Sequence, residues 1–202
     1  YEITTRLVGS EMCIRDRRER TIHKFYRAIV SGNVTKPVHL SGWLIKDEHT
    51  NQVKILTQEQ KDAVRIETSY TSVQAKGTCS LLEICLITGK THQIRAHLSS
   101  INHPIIGDSK YGDSSINEQF RKKAGTKRQL LHAYEMVFPV CEGHFSYLSQ
   151  KSFQAPLPND FLKAMEYFGA KPEDTIIFED STVGLEAAER SGAFYYKTYR
   201  FN

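Results

Sequence analysis

The sequence predicts an α+β domain, with a mixed, largely antiparallel sheet and flanking helices. Three observations predict it. Segments with period-two alternation or rich in Val, Ile, Thr and Tyr recur between short polar turns. They follow one another as hairpins, not as strands spaced by long helices. The apolar period becomes helical in only a few places. The chain has 202 residues, which fits one domain of ordinary size, or one domain plus a fragment, and leaves little room for two complete ones. Hydrophobic residues are 40% and charged residues 25%, a balance that excludes collagen-like, low-complexity and wholly disordered chains.

The elements follow in order. In residues 22–30, Ile22, Lys24, Tyr26, Ala28 and Val30 share one strand face, with Phe25 and Ile29 on the other. Residues 38–46 and 52–56 form a hairpin across the polar turn Asp47-Glu48-His49-Thr50-Asn51. Residues 64–74 read as a strand, and Lys76-Gly77 turns it into 79–87, whose mixed apolar faces predict burial on both sides. After Thr88-Gly89 the period changes. Ile94, Leu98 and Ile101 fall at i, i+4 and i+7, a helix of about three turns stopped by Asn102-His103-Pro104. Residues 130–140 return to strand, and Pro156-Leu157-Pro158-Asn159-Asp160 leads into a helix over 161–168.

Charge divides the chain unevenly. The net charge is +4, yet residues 169–202 carry four Lys/Arg against six Asp/Glu, so an acidic tail follows a basic body. Lys110, Arg121, Lys122, Lys123, Lys127 and Arg128 crowd a polar stretch with Gly112 and Gly125, which reads as a cationic loop able to meet phosphates. Cys13, Cys79, Cys85 and Cys141 are scattered at no redox or zinc-knuckle spacing and read as free thiols, as in a cytoplasmic protein. No apolar run approaches the roughly 18 residues of a membrane helix. Gly89-Lys90-Thr91 imitates a phosphate-binding loop but has Ile84 where that motif needs glycine, and His92, His97 and His103 lack ligand spacing. Neither a metal nor an organic cofactor is expected.

The segment Thr88-Gly89-Lys90-Thr91-His92-Gln93-Ile94-Arg95-Ala96-His97-Leu98, then His103-Pro104-Ile105-Ile106-Gly107-Asp108 and Tyr111-Gly112, resembles the signature of the RluA-type RNA pseudouridine synthases. Arg20-Thr21-Ile22-His23-Lys24-Phe25-Tyr26-Arg27-Ala28-Ile29-Val30 upstream, and Leu131-His132-Ala133 and Ala155-Pro156-Leu157-Pro158 downstream, follow the family's order. The resemblance covers about residues 18–168 and implies that family's catalytic fold, isomerisation of uridine to pseudouridine in ribosomal or transfer RNA, and an extruded base. It implies an aspartate acting at the ribose, a tyrosine packing on the base and helping to remove the C5 proton, and an arginine paired with the aspartate. Tyr26 matches the tyrosine and Arg95 the arginine. Without the resemblance, Tyr26 reads as a core residue and Arg95 as a solvated first-turn side chain. RNA contacts are assigned to Lys24, Lys90, His92 and Gln93, and to Lys122 and Lys123 of the basic stretch.

The family's aspartate lies in an Arg-Leu-Asp segment upstream of the tyrosine, and none of the first 25 residues spells it. Asp16, between Arg15 and Arg17, fits no strand pattern. Ser10-Glu11-Met12-Cys13-Ile14-Arg15-Asp16-Arg17 resembles translated sequencing-adapter DNA, so residues 1–17 are expected to be foreign, 18–168 a catalytic-domain fragment, and the chain inactive as written. Residues 175–178 read as a buried strand ending at Glu179-Asp180, with a helix over 183–190, and 169–202 therefore resembles a fragment of the haloacid dehalogenase superfamily. Three readings compete: the isomerase, a non-catalytic module that binds structured RNA, and a remnant of a phosphatase. The partner expected is RNA, with no membrane, and a monomer is favoured.

Overall fold

The computed structural model describes residues 22–169 and the backbones of two short strands beyond them. Seven strands form one sheet: β1 (His23–Ser31), β2 (Val38–Asp47), β3 (Gln52–Leu56), β4 (Val64–Lys76), β5 (Cys79–Leu86), β6 (Leu131–Val137) and β7 (Ser152–Gln154). Their order is β3-β2-β4-β5-β1-β6-β7, and every pairing is antiparallel. The strands from β1 to β6 lie within a residue or a few of where alternation places them. Helix α1 (Gln93–Ser100) carries the Ile94 and Leu98 stripe, and α3 (Asn159–Phe168) begins two residues before the expected start. Strands β8 (Ile176–Glu179) and β9 (Phe194–Lys197) pair in parallel. β8 falls on the expected tail strand, while residues 1–21 and the expected helix over 183–190 lie outside the described residues.

One expectation fails. The basic stretch is not a loop, since Ser114–Ala124 forms helix α2. Asp113 caps it, accepting from the backbone N–H of Ser115 at 2.8 Å and of Ile116 at 3.0 Å, and Gly125 closes it with φ 70°. Its stripe is thin: Phe120 and Ala124 are buried and Ile116 packs beside them. Three apolar positions among so many cations do not outweigh a polar composition until a neighbour is present to bury them. Here that neighbour is α3, whose Tyr167 ring meets Phe120 edge-on with centroids 4.8 Å apart.

The sheet buries both faces. Ile29, Leu81 and Leu130 pack against Phe120 of α2 and Phe161, Ala164 and Met165 of α3. On the opposite face Ala28, Val30, Leu82 and Ile84 pack against Ile94 and Leu98 of α1. β5 therefore buries both faces, as its unbroken apolar pattern predicts. A third cluster joins Leu44, Val53 and Ile66 to Ala96 of α1. The position of β1 matters most for the site. It lies between β5 and β6, so its even-numbered side chains, Tyr26 among them, stand on the face that α1 covers.

Candidate active site

Two neighbourhoods lie on the α1 side of the sheet. The first surrounds Tyr26. It pairs with Ile84 on one side and Ala133 on the other, and β6 carries an extra residue, Tyr134, opposite the step from Phe25 to Tyr26. A bulge of this kind increases local twist and re-aims neighbouring side chains. The twisted end of the sheet opens a groove of about 480 Å³, where Tyr26 and Lys24 are joined by Met136, Phe138, Leu148 and Phe153. Burial pushes the Tyr26 phenol above its ordinary value, so it stays protonated at neutral pH.

The second neighbourhood is built on Arg95, the third residue of α1. Its Nε and Nη2 donate to Oδ2 and Oδ1 of Asp108, both at 2.7 Å. The backbone N–H groups of Lys110 and Tyr111 also donate to Asp108 Oδ1, at 2.9 and 3.0 Å. The Asp108 side chain is 0% exposed and that of Arg95 13%. Burial pushes the Asp108 carboxyl up, but Arg95 and the amides of Tyr111 and Lys110 together outweigh it and hold the carboxyl below its ordinary value. The same hydrogen bond raises the guanidinium. The Tyr111 ring lies beneath that guanidinium, 5.1 Å from centroid to Cζ. Gly112 makes the turn possible, because a Cβ there would collide with the Asp108 carbonyl oxygen.

His92 precedes α1 in the left-handed region, φ 56°, with Nδ1 3.1 Å from Tyr111 Oη. Burial lowers its imidazole, and the charges of Arg95 and Lys110 lower it further. The ring's Nδ1 and the Tyr111 hydroxyl share one hydrogen bond.

Arg95 and His92 thus converge on Tyr111, while Lys24 and Tyr26 converge on the groove. Arg95 is not among the groove's lining residues. The two neighbourhoods share the α1 side, because Tyr26 packs against the cluster that holds Ile94 and Leu98. Lys90 is exposed at the turn before α1. Lys122 and Lys123 are exposed on α2 but not free: Lys122 Nζ lies 3.2 Å from Glu118, and Lys123 Nζ stands 5.5 Å over the Tyr167 ring. Arg121 grips Glu118 as well, and Arg128 pairs with Asp160 at 2.9 Å, so two carboxylates offset part of the stretch's positive charge.

Gln93 requires correction. It is 1% exposed, and its amide is fully engaged. Oε1 accepts from Thr88 Oγ1 at 2.9 Å and from the Lys90 amide at 3.1 Å, while Nε2 donates to the Glu67 carbonyl and to Thr68 Oγ1, both at 3.0 Å. It brackets the start of α1 onto β4 and has no group left for RNA. Asp108 and Tyr111 are the residues whose role the sequence did not yield. Both stand in the quoted motif, but nothing local to either identifies a partner in Arg95, 13 residues from Asp108 and 16 from Tyr111. Among the described residues, no three His, Cys, Asp or Glu side chains group as metal ligands.

An antiparallel sheet with α1 on one face and α2 and α3 on the other is the fold of pseudouridylate synthase domains. The human RNA pseudouridylate synthase domain containing 4 matches with TM-score 0.63 at 20% identity, covering 79% of this chain and 67% of that one. The human domain containing 1 matches with TM-score 0.57 at 21% identity, covering 90% and 71%. The RNA pseudouridylate synthase family model matches residues 10–100, opening inside the segment expected to be foreign. The ribosomal large subunit pseudouridine synthase D of Neisseria meningitidis serogroup B is 32% identical over 162 residues, 76% of this chain and 41% of the relative. An uncharacterized RNA pseudouridine synthase of Helicobacter pylori J99 is 31% identical over 68% of this chain and 51% of its own length. The tRNA pseudouridine synthase C of Vibrio vulnificus is 33% identical over 57% and 51%. These matches support membership of the RNA pseudouridine synthase family. The chain spans about half the length of the curated relatives it matches, or less.

Proposed function

We propose that the chain carries the tyrosine and arginine portion of an RNA pseudouridine synthase catalytic domain, acting in the cytoplasm on uridine in ribosomal or transfer RNA. The observation that carries this reading is Tyr26 in an apolar groove on the sheet face whose covering helix bears Arg95. The reaction breaks the bond from uracil N1 to ribose C1′, forms one from C5 to C1′, and removes the proton from C5 while N1 gains one, by direct transfer or by exchange through solvent. Such chemistry needs an extruded base held away from water. The Tyr26 ring stacks on that base, and its oxygen takes part in moving the C5 proton. Lys24 on the groove contributes charge toward the adjoining phosphate.

Arg95 spends two of its five N–H groups on Asp108, which leaves donors for a second carboxylate. Asp108 itself is unsuited to act at the ribose, being fully buried with four donors on its two oxygens. The reading assigns that role to an Arg-Leu-Asp segment, which the sequence given does not contain, so the polypeptide as given is expected to turn over no uridine. Residues 169–202 are a separate proposal, a haloacid dehalogenase-like fragment joined by fusion or chimerism. Long genomic reads across codons 165–175 decide it, and an uninterrupted full-length second domain there would overturn chimerism.

The functional reading is tested by supplying an upstream segment with Arg-Leu-Asp and measuring tritium release from RNA labelled at uracil C5. Release that disappears in Tyr26→Phe and in Arg95→Ala supports it. RNA binding without release in any variant sinks it in favour of a non-catalytic RNA module.

A further inference from the structure

We infer that Tyr111 is a positioning residue that couples the β2–β3 hairpin to the Arg95 guanidinium; the inference rests on the assignment of Arg95 to the site. Residues 108–111 touch three elements in four positions. Asp108 grips Arg95 through both oxygens. Lys110 Nζ donates to the carbonyl of Asn51, in the hairpin turn, at 3.2 Å. Tyr111 Oη accepts from the Val53 amide at 2.8 Å, on the strand that follows that turn. The Tyr111 carbonyl accepts from Ser99 Oγ on α1 at 2.9 Å.

Strand β3 is the outer strand at one end of the sheet, paired with β2 alone. The Val53 N–H, turned away from β2, finds its partner in the Tyr111 hydroxyl. That hydroxyl belongs to the ring beneath Arg95 and hydrogen-bonds His92. Moving the hairpin edge therefore pulls on the ring that supports the guanidinium, and displacing the guanidinium disturbs the hairpin, because coupling between two sites is reciprocal. Val53 and Ala96 also share one apolar cluster with Tyr111 packed on it, so the loop has little freedom to absorb a shift. Tyr111 touches no reacting atom in this scheme. It acts by fixing the direction of the arginine's remaining donors.

The test is hydrogen exchange by NMR on the full chain, read at the Val53 amide and at Arg95 Nε–H, with Ile29 and Leu82 amides as the β1 and β5 reference. In Tyr111→Phe, which keeps the ring and removes the hydroxyl, exchange at Val53 is expected to rise at least tenfold and at Arg95 Nε–H at least threefold, with the reference amides unchanged. A faster Val53 with an unaltered Arg95 overturns the coupling. Should Tyr111→Phe fail to fold, Lys110→Ala decides on the same criterion, both probes rising together by a smaller factor. Titration with a fluorescein-labelled RNA hairpin carrying uridines in its loop separates this inference from the functional reading. Coupled exchange without RNA binding sinks the RNA assignment and keeps the coupling, whereas RNA binding with uncoupled exchange does the opposite.

Discussion

Replacing Asp108 by Asn removes one charge and changes one atom, and the structure sets the cost. Four donors converge on the carboxylate: Arg95 Nε on Oδ2, and Arg95 Nη2 with the Lys110 and Tyr111 amides on Oδ1. An asparagine oxygen at the Oδ1 position still serves three of them. The amide nitrogen at the Oδ2 position then faces Arg95 Nε–H, donor against donor, beside a cation that is 13% exposed and has lost its counter-charge. Breaking one partner of such a pair costs about 3–5 kcal/mol. At about 2–4 °C per kcal/mol for a domain of this size, Tm falls by about 6–20 °C. The pH profile changes as well. The folded Asp108 carboxyl is held below its ordinary value, so its stabilisation is present above pH ~3.9 and is lost as pH falls through the lowered folded value; the Asn variant lacks that acid-side loss. Urea unfolding at pH 7, and across pH 2 to 5, measures both. A loss under about 1 kcal/mol at pH 7 would refute the reasoning. The double variant Arg95→Met with Asp108→Asn is expected to regain part of the lost stability, since it removes the unpaired cation while an oxygen at the Oδ1 position still accepts from the Lys110 and Tyr111 amides.

Gln93→Ala is expected to cost about 2–4 kcal/mol by leaving the Lys90 amide without an acceptor and breaking the bonds to Thr88, Glu67 and Thr68, and RNA affinity of the folded variant should be unchanged; urea midpoints and filter binding check this. Burial, reinforced by the charge of His39, lowers the folded His97 imidazole, so stability is full above pH ~6.5 and declines as pH falls through the lowered value, at no more than about 1.4 kcal/mol per pH unit. His97→Asn should flatten that slope in urea unfolding between pH 7.5 and 5. Arg121 and Lys122 hold the Glu118 carboxyl down to about 2, so Glu118→Gln releases two cations on α2. If that face meets RNA, the slope of log K against log salt steepens by roughly 1–2, and an unchanged slope places the RNA elsewhere.

Much of the domain was legible from local pattern. Period-two alternation located the strands of the hairpins, the 94/98 stripe located α1, and the ordered motifs singled out Tyr26 and Arg95. Each of those signals lies within a dozen residues, which is the range over which side-chain periodicity speaks. Helix α2 was not legible, although Asp113, the 116/120/124 stripe and Gly125 are helix signals. Its apolar face is too narrow to declare itself without the Tyr167 ring that covers it.

By itself the sequence located strands β1 to β6 and β8 and the turns between the hairpins, and showed which tyrosine and arginine match the family, but it gave no sign of β7 or β9. Only the tertiary structure decided that β1 lies between β5 and β6, that Gln93 spends its amide on Glu67 and Thr68, and that Arg95 answers to Asp108 and Tyr111. The physical reason is that an apolar period is a property of neighbouring residues, whereas a buried donor or charge is satisfied by whatever acceptor folding brings within 3 Å, at any distance along the chain.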